Sequence, residues 1–212
     1  MSDGAGHTSV PFVLRREEGE ARWFLNQLNL IKSTGASTGG RLTVIETRAP
    51  RGPGSPLHVH RREAEFWYVL EGELTMWVGG ELFDAPEGSL VYGPPDIPHT
   101  FAIASDQARF LLLAQPTGFE SFLRDGSQPA TALSLPPAGG PDPDPARLAA
   151  VAAEYGIEIL GPPGLPGYSA GVGDGCEYGR SARPHAAHRD PLRPVESARE
   201  PRSAGARAGG VV

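Results

Sequence analysis

The sequence predicts an all-β fold, a sandwich or barrel of short strands followed by short C-terminal helices, and three observations predict it. Apolar and polar residues alternate with period 2, not 3.6, in short stretches between Arg41 and Ala114. Turn signals rich in glycine and proline separate those stretches. Thirteen of the 16 aromatic residues, the bulk any core needs, fall within residues 1–135.

Taken in order, residues 1–10 are polar and Gly-rich and are expected to be disordered. Pro11 to Leu30 is mixed, anchored by Trp23-Phe24-Leu25, and the small residues from Thr34 to Gly40 read as a turn. No Gly-Lys-Ser/Thr follows that turn, so it is not a phosphate loop. Strand-like stretches then run from Arg41 to Thr47 and recur at Leu57–His60, Glu65–Leu70, Leu74–Val78, Ser89–Tyr92, His99–Ile103 and Arg109–Ala114. Gly52-Pro53-Gly54, Glu71-Gly72, Gly79-Gly80, Pro86-Glu87-Gly88 and Gly93-Pro94-Pro95 punctuate them, a spacing typical of sandwiches and barrels. Thr117 and Glu120 have the spacing of a capping box, and Phe119, Phe122 and Leu123 fall on one face of the helix it would open, with Gly126 as its stop. Asp144-Pro145 supplies a cap and a first-turn proline for a second helix, whose Leu148, Val151, Ala152 and Tyr155 keep helical spacing.

Composition divides the chain. Residues 1–135 hold 15 Gly and 10 Pro, whereas the much shorter 136–212 holds 13 and 12. The domain organisation expected is therefore one barrel over 11–135, a linker and short helix packing on it over 136–164, and a disordered tail over 165–212. That tail has only Tyr168 and Tyr178 as aromatics and cannot offset its ordering entropy.

Several function classes are excluded. Residues 1–164 carry 12 Arg and Lys against 20 Asp and Glu, an acidic surface that repels a phosphate backbone, so no nucleic-acid partner is expected. No apolar run approaches the roughly 18–20 residues that cross a bilayer, so no membrane partner is expected. No signal peptide is visible, and Glu17 and Glu18 after Arg15-Arg16 argue against a twin-arginine signal. Cys176 is the single cysteine, and the expected location is the cytoplasm. Ser55 and Ser89 lie in no Gly-x-Ser-x-Gly elbow.

Three of the six histidines, His58, His60 and His99, lie close in the chain, apart from His185 and His188 in the tail. On a strand, residues i and i+2 share a face about 6.6 Å apart, close enough for two imidazoles to reach one ion. Glu65 opens the next strand after a short loop, and His99 opens a later one, so three imidazoles and one carboxylate form the candidate ligand set. Such ligands suit one divalent transition metal per chain (Fe, Ni, Co, Mn, Cu or Zn), and four of them on a six-coordinate ion leave positions open for chemistry.

Gly52-x5-His58-x-His60-x4-Glu65-x6-Gly72 resembles the first cupin motif, both glycines included, and Gly80-x5-Pro86-x-Gly88 followed by Pro98-His99 resembles the second. The usual asparagine four residues after the last histidine is Ile103 here. The resemblance spans a motif core of residues 41–116. More narrowly, Leu57-His58-Val59-His60, Phe66-Trp67-Tyr68-Val69-Leu70-Glu71-Gly72 and Pro98-His99-Thr100-Phe101 resemble single-domain cupins similar to quercetin dioxygenases. The resemblance implies a double-stranded β-helix, or jelly-roll, barrel with the metal inside and a homodimer. It implies a dioxygenase using dioxygen on a small aromatic or flavonol-like substrate, with Glu65 both touching the metal and accepting the substrate's hydroxyl proton.

Strand phase adds two expectations. If Glu65 points inward, so do Trp67 and Val69, while Phe66, Tyr68 and Leu70 face outward to be covered by residues 12–30 or by a second copy. If His99 points inward, so does Phe101, and Trp67 and Phe101 become candidate substrate-binding residues beside the metal. Two alternatives stay open: a non-catalytic metal- or small-molecule-binding cupin, and a sugar isomerase or epimerase. The latter often needs a Lys or Tyr at the site, and the chain's single lysine, Lys32, lies outside the motifs.

Overall fold

The computed structural model describes residues 10–137 and 144–167. The expectations for residues 1–9, for much of the linker and for the tail from 168 onward, with Cys176, His185 and His188, lie outside the described residues. In chain order the elements are strands β1 (Glu20–Phe24) and β2 (Gln27–Ser33), helix α1 (Gly35–Thr38), then strands β3 (Thr43–Pro53), β4 (Pro56–His60), β5 (Ala64–Glu71), β6 (Glu73–Val78), β7 (Glu81–Pro86), β8 (Leu90–Gly93) and β9 (His99–Gln115). Helix α2 (Phe119–Gly126), strand β10 (Gln128–Pro129), helix α3 (Pro145–Glu154) and strand β11 (Ile157–Pro163) complete the described chain.

All strand pairings are antiparallel, in the order β10-β1-β2-β3-β9-β4-β11, with β5 pairing β8 and β9, and β6 pairing β7 and β9. The long β9 organises the sheet. Its first residues, His99–Ile103, pair with β6, and its last ones pair with β5, while β3 runs along most of its other side. The result is the expected jelly roll, left unclosed. Alternation builds the core: Ile45 and Ala49, Trp67 and Val69, Leu74 and Met76, and Phe110, Leu112 and Ala114 are buried on successive inward positions. Each large apolar side chain so buried contributes about 1.5–3 kcal/mol.

The differences from the sequence expectation have physical causes. His99–Ile103 and Arg109–Ala114 are one 17-residue strand, because β3 keeps pairing through the polar stretch between them, opposite Gln107 and Ala108. The mixed segment before residue 34 is a β-hairpin whose second strand is buried nearly throughout, so buried Gln27, Asn29 and Ser33 break its polar pattern. The Thr34–Gly40 turn contains a one-turn helix with its own capping box from Thr34 and Ser37. The cap of α2 is Gly118, not Thr117, because the Glu120 carboxylate is drawn into other bonds. Phe119, Phe122 and Leu123 do bury against the barrel, and Asp144 caps α3 by accepting from Ala146 N–H at 3.0 Å, with Pro145 in the first turn. Gly72 sits in the turn before β6 at φ 81°, where a Cβ would lie 2.4 Å from the Gln107 carbonyl, so only glycine fits that motif position.

The outward face of β5 is not covered as expected from residues 12–30. The hairpin β1–β2 attaches to β3 instead, and Tyr68, Leu90 and Tyr92 stay exposed beside partly buried Phe66, whose ring lies 4.8 Å from that of Tyr92. Among the described residues no helix is long and apolar enough to cross a membrane.

Candidate metal centre

The sheet brings four side chains to one point. β4 carries His58 and His60 on one face, β9 begins with His99 directly opposite His58, and β5 places Glu65 between Gly93 of β8 and Ala114 of β9, two small neighbours that leave it room. One potential ligand atom from each of His58, His60, Glu65 and His99 lies within 4.8 Å of the others. Glu65 Oε2 is 2.9 Å from His99 Nε2, 3.3 Å from His60 Nε2 and 4.0 Å from His58 Nε2. The strand missed from sequence, β11, flanks the site by pairing Ile157 with His60 and Ile159 with His58.

Second contacts fix which nitrogen of each ring faces inward. His58 Nδ1–H donates to the Pro56 carbonyl at 2.8 Å, and His99 Nδ1–H donates to the Ile97 carbonyl at 2.9 Å. His60 Nδ1 lies 3.5 Å from Glu63 Oε2. In a neutral ring a nitrogen engaged as a donor leaves its ring partner as a lone pair, so His58 and His99 present Nε2 to Glu65, and His99 Nε2 lies within hydrogen-bond distance of Glu65 Oε2. A lone pair facing a carboxylate oxygen is repelled unless a proton or a metal ion lies between them. Glu65 Oε1 and His60 Nε2, both buried, have no hydrogen-bond partner among the described residues.

Protons settle this only in part. Burial and the neighbouring His99 and His60 push His58 down to about 3, so that ring is neutral at pH 7. Burial pushes the Glu65 carboxyl up, but His60, His99 and His58 outweigh it and hold the group at about 2. Burial also disfavours protonation of His60, and Glu65 and Glu63 overcome it to raise that ring. An ionised carboxylate beside a ring that stays neutral, with an unpartnered nitrogen and an unpartnered oxygen, fits a divalent transition metal.

Beside these four residues opens a cavity walled largely by aromatic and aliphatic side chains. His58, Glu65, Trp67, Phe101, Phe110 and Phe119 line it, so the structure brings all six residues singled out from sequence to one locality. Trp67 stacks edge-on to His99 with ring centroids 5.2 Å apart. Gln27, Asn29 and Thr47 add a polar patch, in which Thr47 Oγ1–H donates to Asn29 Oδ1 at 2.8 Å. These three and Glu63 were not legible as site residues. Gln27 and Asn29 sit in the hairpin whose period was masked, and the only signal for Glu63 is its place two residues before Glu65.

Residues 44–114 match the cupin domain family. The chain is 30% identical over 129 residues to quercetin 2,3-dioxygenase from Bacillus subtilis (strain 168), covering 61% of this chain and 37% of that protein. It is 34% identical over 61 residues to an uncharacterized protein from Methanocaldococcus jannaschii, covering 29% of this chain and 49% of that protein. The chain thus spans less than half the length of these curated relatives. Among solved structures, KdgF from Halomonas sp. aligns at 18% identity over 53% of this chain and 99% of that one, with a TM-score of 0.48.

Proposed function

We propose, from the premise that residues 44–114 are a cupin domain, that the chain is a metal-dependent dioxygenase acting on a small aromatic, flavonol-like molecule. One observation carries this reading: three imidazole nitrogens and an ionised carboxylate face one point on the wall of an aromatic cavity. The similarity to a quercetin 2,3-dioxygenase supports the substrate class. A divalent metal held by His58, His60, Glu65 and His99 would supply Lewis acidity, lowering the pKa of an enol or phenol, and access to dioxygen.

The chain's own residues do the rest. Trp67, Phe101 and Phe119 offer flat apolar walls that orient a planar ring and exclude water. Glu65 Oε1, buried without a partner, is the acceptor for the substrate's hydroxyl proton. A carboxyl held at about 2 is a weak base, so it takes a proton only from a hydroxyl already acidified at the site. A sugar isomerase or epimerase is disfavoured, since Lys32 is spent on the Arg15, Arg16 and Glu18 carbonyls and does not line the cavity. The exposed Tyr68, Leu90 and Tyr92 support assembly as a homodimer, which sedimentation would test.

The test is oxygen uptake by metal-loaded protein given quercetin, alongside elemental analysis of the purified chain. Iron, nickel, cobalt, copper or manganese near one per chain with uptake abolished in His99→Ala is the expected result. Equal uptake by the two proteins overturns the site. Stoichiometric metal without uptake on quercetin or related phenols reduces the function to binding.

A further inference from the structure

We infer that Glu63 is a positioning residue of the metal centre: its carboxylate holds the Nδ1–H of His60, turning Nε2 toward Glu65. The inference rests on the metal-binding reading above and concerns a residue outside the motif pattern. The three rings are held differently. His58 and His99 each bond the carbonyl two residues earlier in the chain, Pro56 and Ile97, so local backbone orients them. No carbonyl serves His60. Among the described residues neither His60 Nδ1 nor Glu63 Oε2 has a hydrogen-bond partner, and the two lie 3.5 Å apart, each the other's nearest charged or polar complement.

Glu63 is 2% exposed, and a carboxyl group so buried is costly unless donor groups surround it. Two features of the chain meet that need. One is the His60 N–H. The other is the start of α2: its cap, Gly118, stands at φ 145°, and a Cβ there would lie 3.0 Å from Glu63 Oε1, so the glycine lets the carboxylate approach the positive end of the helix. Arg61 and Arg62, although adjacent in sequence, are exposed, and Arg61 pairs outward with Asp96 and Glu158. A carboxylate behind an imidazole does what a carbonyl does, fixing tautomer and orientation, and also makes the ring a better donor. His60 is therefore the most strongly donating of the three imidazoles, and α2 is tied to the metal centre through Gly118 and Glu63.

The test uses the full chain with Co(II) as probe and two variants, Glu63→Leu, which removes the acceptor, and Glu63→Gln, which keeps an acceptor oxygen but loses the charge. Metal-free protein is read by long-range proton–nitrogen NMR of the His60 ring, and Co(II) affinity by competition titration, with thermal melts reporting folding. The wild type is expected to hold His60 in the Nδ1–H form. Glu63→Leu is expected to lose that preference and to weaken Co(II) about 10–100-fold, with Glu63→Gln in between. If Glu63→Leu does not fold, Glu63→Gln decides by itself: weaker Co(II) at an unchanged melt supports the role, and unchanged affinity overturns it. A neutral wild-type His60 whose single proton sits on Nε2 in the metal-free chain also overturns it. Failure of the wild type to bind Co(II) at all sinks the metal reading instead, while the tautomer still reports on Glu63.

Discussion

Glu65 and Glu120 are both buried carboxylates, 1% and 5% exposed, and both are held below the ordinary carboxyl range, yet they sit in opposite kinds of surroundings. Glu120, at the start of α2, is surrounded by donors. It accepts from Gly35 N–H at 2.7 Å, from Gly118 N–H at 2.9 Å and from the Thr43 hydroxyl. Glu65 is surrounded by three imidazoles, of which only His99 is within hydrogen-bond distance, and its Oε1 has no partner among the described residues. Burial and a depressed pKa therefore do not distinguish a structural carboxylate from a ligand. The source of the depression does: fixed dipoles complete Glu120, whereas Glu65 depends on groups that can lose protons or bind an ion.

The contrast breaks if the two residues respond alike to truncation. Glu65→Ala should weaken Co(II) binding by more than about 100-fold, beyond the loss expected from a residue behind a ligand, and lower the melt of the metal-free protein less than Glu120→Ala does, because Glu65 has one hydrogen bond, to His99, where Glu120 has three. Competition titration and thermal melts check both halves. Glu120→Ala should do the reverse, costing about 3–5 kcal/mol of stability as Gly35 N–H, Gly118 N–H and the Thr43 hydroxyl lose their acceptor, with Co(II) affinity nearly unchanged in the folded fraction. Denaturant unfolding measures that loss. A smaller effect follows from adding metal to the wild type: Co(II) at about 100 times its Kd should stabilise the fold by about 2.7 kcal/mol, reversed by chelator, and the same concentration should give Glu65→Ala no more than about 0.4 kcal/mol.

The same contrast explains what was legible in the sequence. The Glu65 site announces itself because its ligands are rare residue types at fixed spacing on period-2 strands, and glycines such as Gly72 frame them where no side chain fits. The Glu120 site does not. Thr117 and Glu120 spell a capping box, but Glu120 bonds across the fold to Gly35 and Thr43, partners some eighty residues away that no local pattern reveals. Strand β11 was hidden for a related reason: Ile157–Pro163 ends in Gly-Pro-Pro, a breaker by composition, yet it pairs along β4 at the sheet edge, where prolines are tolerated. Glu63 shows the limit inside the motif itself. Spacing marks the candidate ligands and leaves unmarked the residue proposed to orient one of them.

Acid titration sharpens the comparison at its weakest point, where both carboxylates remain ionised. In metal-free protein His58 sits at about 3 when folded and near 6.5 when unfolded, so the unfolded chain takes up the proton first and stability falls as pH drops from about 6.5 toward 3. His60, raised above 6.5, has the opposite sign: its contribution is complete below 6.5 and is lost as pH rises through its folded value. Glu65 and Glu120, both lowered, contribute fully above about 4.5 and lose their stabilisation only as pH falls below it. The window between 6.5 and 4.5 therefore belongs to the histidine cluster, with Glu120 silent. Replacing His58 with Asn should flatten the dependence of the melting temperature on pH across that window, whereas Glu120→Gln should lower the whole curve and keep its slope there. Thermal melts of the metal-free proteins at half-unit pH steps decide it. A wild-type slope that survives in His58→Asn would mean that His58 is not held neutral by burial and by the neighbouring rings, and with it would go the case for His58 as a lone-pair ligand ready for a metal.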